Sequence, residues 1–396
     1  MDPASLQVLI SRLTGVATEM GEVLRRAAYS PNIKERADCS AALFTPAGEL
    51  LVQAEHIPVH LGSMPASVAA ALAVVGPDGA RPGRQIILND PFAGGTHLND
   101  ITLVAPCFVD GVLAGWAANR AHHADLGGMA PGSMPADAVE VCQEGLRIPP
   151  VVLSGAVAAM LCANSRTPVE RRGDLDAQVG ANRVGVARLA ALVAAGAAFE
   201  PVLEYGERRM RAAVSAVPDG SWSFADVLDS WGPRPSQQTP VHVSVVVTVS
   251  GSSVEFDFSG CADQQPGNVN AVAAVTESCV AFALRSALDP TLPSNGGAMR
   301  PVRVVTRPGS VVAAVPPVAV GAGNVEVSQR VADVCLGALA QAVPGRVGAA
   351  GQGTMNNVML GGPGSAVGPG SGSGPWVYYE TVAGGQGARP PRPPGK

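Results

Sequence analysis

The stretch NDPFAGGTHLND, residues 89–100, holds two Asn, two Asp, a His and a Gly-Gly pair between the apolar runs QIIL and ITLVAPCFV. A second polar cluster, NRAHHADLGG at 119–128, follows at the end of another apolar run. Five of the six histidines lie between positions 56 and 123, so the imidazoles are concentrated rather than scattered. His97 and Asp100 make an H-x-x-D pair, and His122 and His123 lie 25 residues further on. Two imidazoles and a carboxylate from adjacent loops predict a facial set suited to divalent Mn, Fe or Zn, with its other side open to water or substrate. Neighbouring residues of a strand point to opposite faces, so only one of His122 and His123 readily shares such a pocket. Asp90, Asn99 and Asp125 are expected to hold the rings by hydrogen bonds. Gly94-Gly95 and Gly127-Gly128 permit positive φ and a close approach of backbone to a ligand.

Other residues could take part. Glu144 in VCQEGLRIPP is a candidate general acid or base, and Asp125 is the second candidate catalytic carboxylate. Arg36 and Asp38 in KERADCS read either as a substrate-binding pair for an anion or as a surface ion pair, with the ion pair preferred. His56 and His60 in EHIPVHLGSMP read as pocket lining, substrate-binding in the case of His60, or as a solvated turn; Pro58 between them argues against a shared helical face. Cys39 and Cys142 have no identifiable chemical partner. GxGxxG, GxxxxGK[ST] and GxSxG have no convincing context, so no nucleotide-binding loop is visible.

These groups need strands and helices to position them. Asp2-Pro3 sets an N-cap and first turn, and Leu6, Leu9, Ile10, Leu13 and Val16 recur at helical spacing. CSAALFTPAGELLVQAE reads as a hairpin, PASVAAALAVV as a helix, and QIILND, ITLVAPCFV and VLAGWAANRA as strands. Both polar clusters therefore fall at strand ends, where loops on a rigid sheet commonly carry chemistry. Residues 137–215 read as largely helical. From 219, VHVSVVVTVSG and SVEFDFSG alternate with period two, so a β-rich half begins. The expected fold is mixed α/β (α+β), with helices on mixed or antiparallel sheets. The expected divisions are 1–218 with the metal site, 219–385 β-rich, and 386–396 a disordered or aberrant Pro-rich tail.

Bulk properties exclude several classes. The 396 residues are 47% hydrophobic and 15% charged, with net charge −5 and no long run of one sign. That argues for a globular chain and against a nucleic-acid footprint. The run LAALVAAGAAF is too short to span a bilayer, and the N-terminus lacks a signal-peptide pattern. Seven cysteines with no CxxC pair fit reduced thiols in the cytoplasm, with Cys107, Cys162, Cys279 and Cys335 as core filler.

The segments SPNIKERADCSAALFTPAGELL, AEHIPVHLGSMP, NDPFAGGTHLNDITLVAP, NRAHHADLGGMAPGSMP, QEGLRIPPV, NSRTPVERRGDLDAQVGANRVG and DFSGCADQQPGNVNAV together resemble the hydantoinase B/oxoprolinase family, in order and over nearly the whole chain. The resemblance implies a B-type subunit of an ATP-dependent cyclic-amide hydrolase. A hydantoinase A-like partner with an actin-type fold would bind ATP and phosphorylate a lactam or hydantoin oxygen, within a hetero-oligomer. It further implies a Mn site at His97, Asp100 and His122, with His123 as the alternative third ligand. Rival readings are the α subunit of an acetone or acetophenone carboxylase, a metal amidohydrolase needing no ATP, and a truncated non-catalytic scaffold. Family members continue past the GGxGA motif, here GGQGA at 384–388, so the resemblance also predicts a shortened C-terminus with an exposed sheet edge.

Overall fold

The structure is a computed structural model that describes residues 1–55, 57–364, 374–385 and 387–388. His56 and nearly all of the expected 386–396 tail lie outside the described residues. The chain opens with α1 (Pro3–Ala27), capped by the Asp2 carboxylate on the Ala4 and Ser5 amides, and then α2 (Pro31–Lys34). The expected hairpin follows as β1 (Cys39–Phe44) and β2 (Leu50–Glu55), ahead of helix α3 (His60–Gly79). Next come β3 (Ile86–Leu88), β4 (Asp100–Val109), β5 (Val112–His122) and the short β6 (Val151–Val152). These strands form one antiparallel sheet in the order β2-β1-β5-β4-β3-β6.

Both faces of this sheet are covered, which explains why β1 is buried at every position. Ala41, Leu43 and Ala117 pack against Leu13, Met20 and Leu189 on one face. Ala42, Phe44, Trp116 and Ala118 pack against Met64 and Val68 of α3 on the other. Helices α4 (Gly155–Ala163), α5 (Pro168–Ala194) and α6 (Glu200–Ser215) follow. Within 137–215, read as largely helical, residues 137–154 form no helix beyond a single turn at Val141–Gln143. Pro149 and Pro150 offer no N–H to a helical ladder, and Glu144 is tied to distant backbone instead.

The second half builds β7 (Gly220–Leu228), β8 (Val241–Ser250), β9 (Ser253–Asp257), α7 (Ala273–Ala287), α8 (Gly296–Met299), β10 (Val302–Val305) and α9 (Val327–Ala342). The sheet order is β10-β9-β8-β7, with β10 parallel to β9. Period-two alternation holds on β8, where Val241, Val243, Val245, Val247 and Val249 face the core made with α7 and α9. VRVVTRPGSVVAAVPP is a strand only over Val302–Val305. A final hairpin, β11 (Asn356–Gly362) and β12 (Trp376–Val382), crosses to the first sheet. The fold is mixed α+β. The two larger sheets fall on either side of residue 218, although Leu98 and Val141 enter the core of the second. Among the described residues no helix is long and apolar enough to cross a membrane.

Candidate metal centre

The β4–β5 register sets the site. Asp100 opens β4 directly opposite His122, which ends β5. The pleat sends Asp100, Thr102, Arg120 and His122 to the α3 face, and Asn119 and His123 to the α5 face. His97 reaches the same point from the loop before β4. The Nε2 of His97 lies 3.2 Å from Asp100 Oδ1, and His122 Nδ1 lies 3.4 Å from the same oxygen. One ligand atom from each of the three residues falls within 4.8 Å of the others. The other carboxylate oxygen, Asp100 Oδ2, is held by Thr96 Oγ1 at 2.5 Å and faces His60 Nε2 at 3.5 Å. His60 is fixed in turn by Ser40 Oγ on its Nδ1, at 2.9 Å.

All of this is out of water. His97 and Asp100 are each 1% exposed and His122 is 3% exposed. Burial pushes the Asp100 carboxyl up, but the facing His97, with His122 and His60, outweighs it and holds the group well below the ordinary range. Burial likewise opposes charge on His97, yet the Asp100 carboxylate raises its pKa. Among the described residues, both ring nitrogens of His97, Asp100 Oδ1 and His122 Nε2 have no hydrogen bond, only the ion-pair contacts between the rings and the carboxylate. Leaving such buried atoms unpaired costs about 1–3 kcal/mol each. A divalent cation held by one ring nitrogen each of His97 and His122 and by the Asp100 carboxylate would take up part of this set, so the residues fit a metal.

Several groups around this point escaped the sequence reading. Arg120 is fully buried behind the site and is bound by Thr102, Ser63, Ser67 and the Gly94 carbonyl. Burial pulls its pKa down to about 10 against the opposing pull of Asp100. A charged residue inside the apolar run VLAGWAANRA was the available sign. Asn32 Nδ2 donates to the His122 carbonyl at 2.7 Å, and the His122 amide donates to the Asp38 carbonyl at 3.0 Å, which pins the end of β5. Tyr379 of β12 stacks on the His122 ring, with centroids 5.0 Å apart and planes 15° from parallel. The Arg36 guanidinium sits 4.7 Å from the Tyr379 ring centroid.

Other expectations are corrected. Arg36 and Asp38 form no ion pair among the described residues. Arg36 binds the Tyr379 carbonyl and Thr381 Oγ1, whereas Asp38 Oδ2 approaches His122 Nδ1 at 3.9 Å. His123 turns to the opposite face, where its Nε2 meets Gln178 Oε1 at 2.9 Å. Burial and Arg171 push its pKa down to about 4. The Asp125 carboxylate holds no ring, because the Arg166 guanidinium and the Arg166 and Gly132 amides take it up. Asp90 caps the Phe92 amide, and Asn99 binds the His123 and Gly132 carbonyls rather than imidazoles. Gly94 and Gly127 do adopt positive φ, but each is pressed against backbone, Ala66 O and Asn164 O, and not against an open ligand space. Glu144 is fully buried and accepts from the Val320 and Gly321 amides. Burial raises its carboxyl to about 7, against those amides and the charge of His97.

The stacked Tyr379 ring makes a wall over His122, and Arg36 locks that wall in place. Tyr379→Ala and Arg36→Ala should each release bound metal to a competing chelator on the order of tenfold faster, whereas Tyr379→Phe should match the wild type. Wild-type release from Tyr379→Ala would remove the wall from the account.

The sequence profile of the hydantoinase B/oxoprolinase family matches residues 2–393. An uncharacterized protein of Methanocaldococcus jannaschii is 36% identical over 98% of this chain and 68% of its own length. The 5-oxoprolinase 1 of Arabidopsis thaliana is 32% identical over 98% of this chain, which spans only 32% of that protein. Among solved structures, an ATP-dependent caprolactamase from Pseudomonas jessenii superposes with a TM-score of 0.83 at 28% identity. That match covers 92% of this chain and 64% of the other.

Proposed function

The chain belongs to the hydantoinase B/oxoprolinase family, and on that footing we propose that it is the B-type component of an ATP-dependent cyclic-amide hydrolase. It would open a lactam or hydantoin ring whose oxygen has been phosphorylated by a separate A-type ATPase component. The observation that supports this most is the buried His97–Asp100–His122 set with its unpartnered ring nitrogens and carboxylate oxygen.

His97, Asp100 and His122 would hold a divalent cation, with Mn the first expectation and Zn or Fe able to use the same donors. When bound, such an ion supplies Lewis acidity, easing loss of a proton from water and offsetting negative charge. Thr96 and His60 occupy Asp100 Oδ2 and so leave Oδ1 turned toward His97 and His122. Glu144, with a carboxyl at about 7, is poised to take or return a proton near neutrality. Tyr379 and the hairpin that carries it limit access of bulk water to His122.

Phosphorylation belongs to the partner in this reading. The sequence has no GxxxxGK[ST] loop, and the match spans only about a third of the Arabidopsis 5-oxoprolinase, leaving the rest of that protein for other tasks. The ATP requirement is that stated for the caprolactamase. The test is reconstitution: the chain is mixed with a co-purified A-type ATPase, and lactam-dependent ATP turnover is measured with 5-oxoproline, hydantoin and caprolactam. Turnover should need both components and disappear with His97→Ala, whose far-UV dichroism should stay native. Ring opening by this chain without ATP, or undiminished turnover with His97→Ala, would overturn the proposal.

A further inference from the structure

Gln53 lies on β2, the outer strand of the first sheet, opposite Ala42 of β1. Pleat parity turns it to the same side as Leu51, which packs with Leu13 of α1. The residue is only 5% exposed. Among the described residues, neither its Nε2 nor its Oε1 has a hydrogen-bond partner. Folded proteins seldom leave both ends of a buried amide bare, because each end then bears its full desolvation.

The same side chain lines a cavity of about 330 Å³ between α1, β2, α6 and residues 291–295. Leu13, Leu51 and Val202, each almost fully buried, give it an apolar floor. Its charged groups are taken up within the protein. Arg209 donates to Tyr205, Asp289 and Thr291, and Arg285 donates to Ser294. Asn295 donates to the Val202 carbonyl and accepts from the Ala298 amide. Cavities of this size hold small organic ligands, oriented by a few placed polar groups.

The surrounding protein supplies Gln53 with no partner, so one has to come from this cavity. A primary amide presents an N–H donor and a carbonyl acceptor side by side. A ligand that answers both carries the same two groups on one edge, which is a cis amide, as in a lactam, an imide or a cyclic urea. A carboxylate would set oxygen against Oε1, an ammonium would set donor against Nε2, and a ketone would reach Nε2 alone.

We propose that this cavity is a second binding site, for a small neutral cyclic amide held by paired hydrogen bonds to Gln53 with its ring on Leu13, Leu51 and Val202. Asp100 and His122 face α3 on the other side of the sheet, so the site is separate from the metal centre. The assignment needs neither a metal nor ring opening.

Calorimetric titration of the full chain with δ-valerolactam tests this, with N-methyl-δ-valerolactam and cyclohexanone as comparisons. The lactam should bind saturably and at least about tenfold tighter than either comparison, since both lack the donor that Oε1 needs. That binding should persist in His97→Ala and vanish in Gln53→Met, which keeps the side chain's length without its hydrogen-bonding groups. Gln53→Met should melt no lower than the wild type, because it removes an unpaired buried amide. The lactam should raise the melting midpoint of the wild type and leave that of Gln53→Met unmoved. If Gln53→Met fails to fold, the methylated and unmethylated lactams still decide the matter on the wild type. Equal binding of the two lactams, undiminished binding to Gln53→Met, or loss of binding in His97→Ala overturns the assignment. So does the absence of saturable binding, which would leave the cavity to water. Turnover enters none of these readouts, so the hydrolase proposal stands or falls separately.

Discussion

Asp100→Asn should yield a protein without stoichiometric divalent metal and without measurable ring-opening activity. The substitution keeps the side chain's shape but removes the one negative charge that His97, His122 and His60 all face. An amide offers a cation a weaker oxygen and no charge, so the loss should exceed the ~10–100-fold that removing a supporting group typically costs a metal site. A second cost falls on Arg120, whose buried cation is stabilised by Asp100. Leaving a buried charge uncompensated is destabilising by about 3–5 kcal/mol when a direct partner is removed, and by less across this longer path. Thermal denaturation should therefore show a lowered midpoint, and metal analysis should show an empty site. Full metal occupancy in this variant would mean that the ion sits elsewhere.

Glu144→Gln should reduce kcat by about 10²–10⁴-fold with metal content unchanged. In the wild type, kcat/KM should rise with pH through about 7 if the ionised carboxylate accepts the proton, because burial has lifted the group from its ordinary value of 4.5. The variant should lose that inflection. Stability gives an independent readout. The folded chain keeps the Glu144 proton more tightly than the unfolded chain, so this contribution is complete below 4.5 and is lost as pH rises through about 7. The amplitude is on the order of 3 kcal/mol at 1.36 kcal/mol per pH unit. An unchanged pH profile in Glu144→Gln would assign the titration to another group.

The sequence disclosed the local part of this centre and missed the distant part, for a geometric reason. Asp100 and His122 lie on two consecutive strands and His97 on the loop just before the first, so loop spacing and strand ends were enough to bring them together. Pleat parity said that one of His122 and His123 must turn away, but the register with Asp100 was needed to say which. Asp125 looked placed for the rings because it follows them in sequence. Its carboxylate was instead captured by Arg166, which arrives from the far side of α4, a contact that no periodicity reveals. Tyr379 and Arg36 meet only because the last hairpin folds back over β5, and nothing in the local sequence WVYYETV marks that contact. The reading of 137–215 as largely helical gave too little weight to Pro149 and Pro150, which break any helix through that stretch.

The closing of β12 over His122 has a consequence for the order of assembly during synthesis. His97, Asp100 and His122, the residues proposed to hold an ion, lie on β4, β5 and the loop just before them, so they can come together as soon as the first sheet has formed on the emerging chain. Tyr379 leaves the ribosome long afterwards. Its ring therefore arrives last over His122, and an ion held as proposed would enter before that cover closes or only when it lifts.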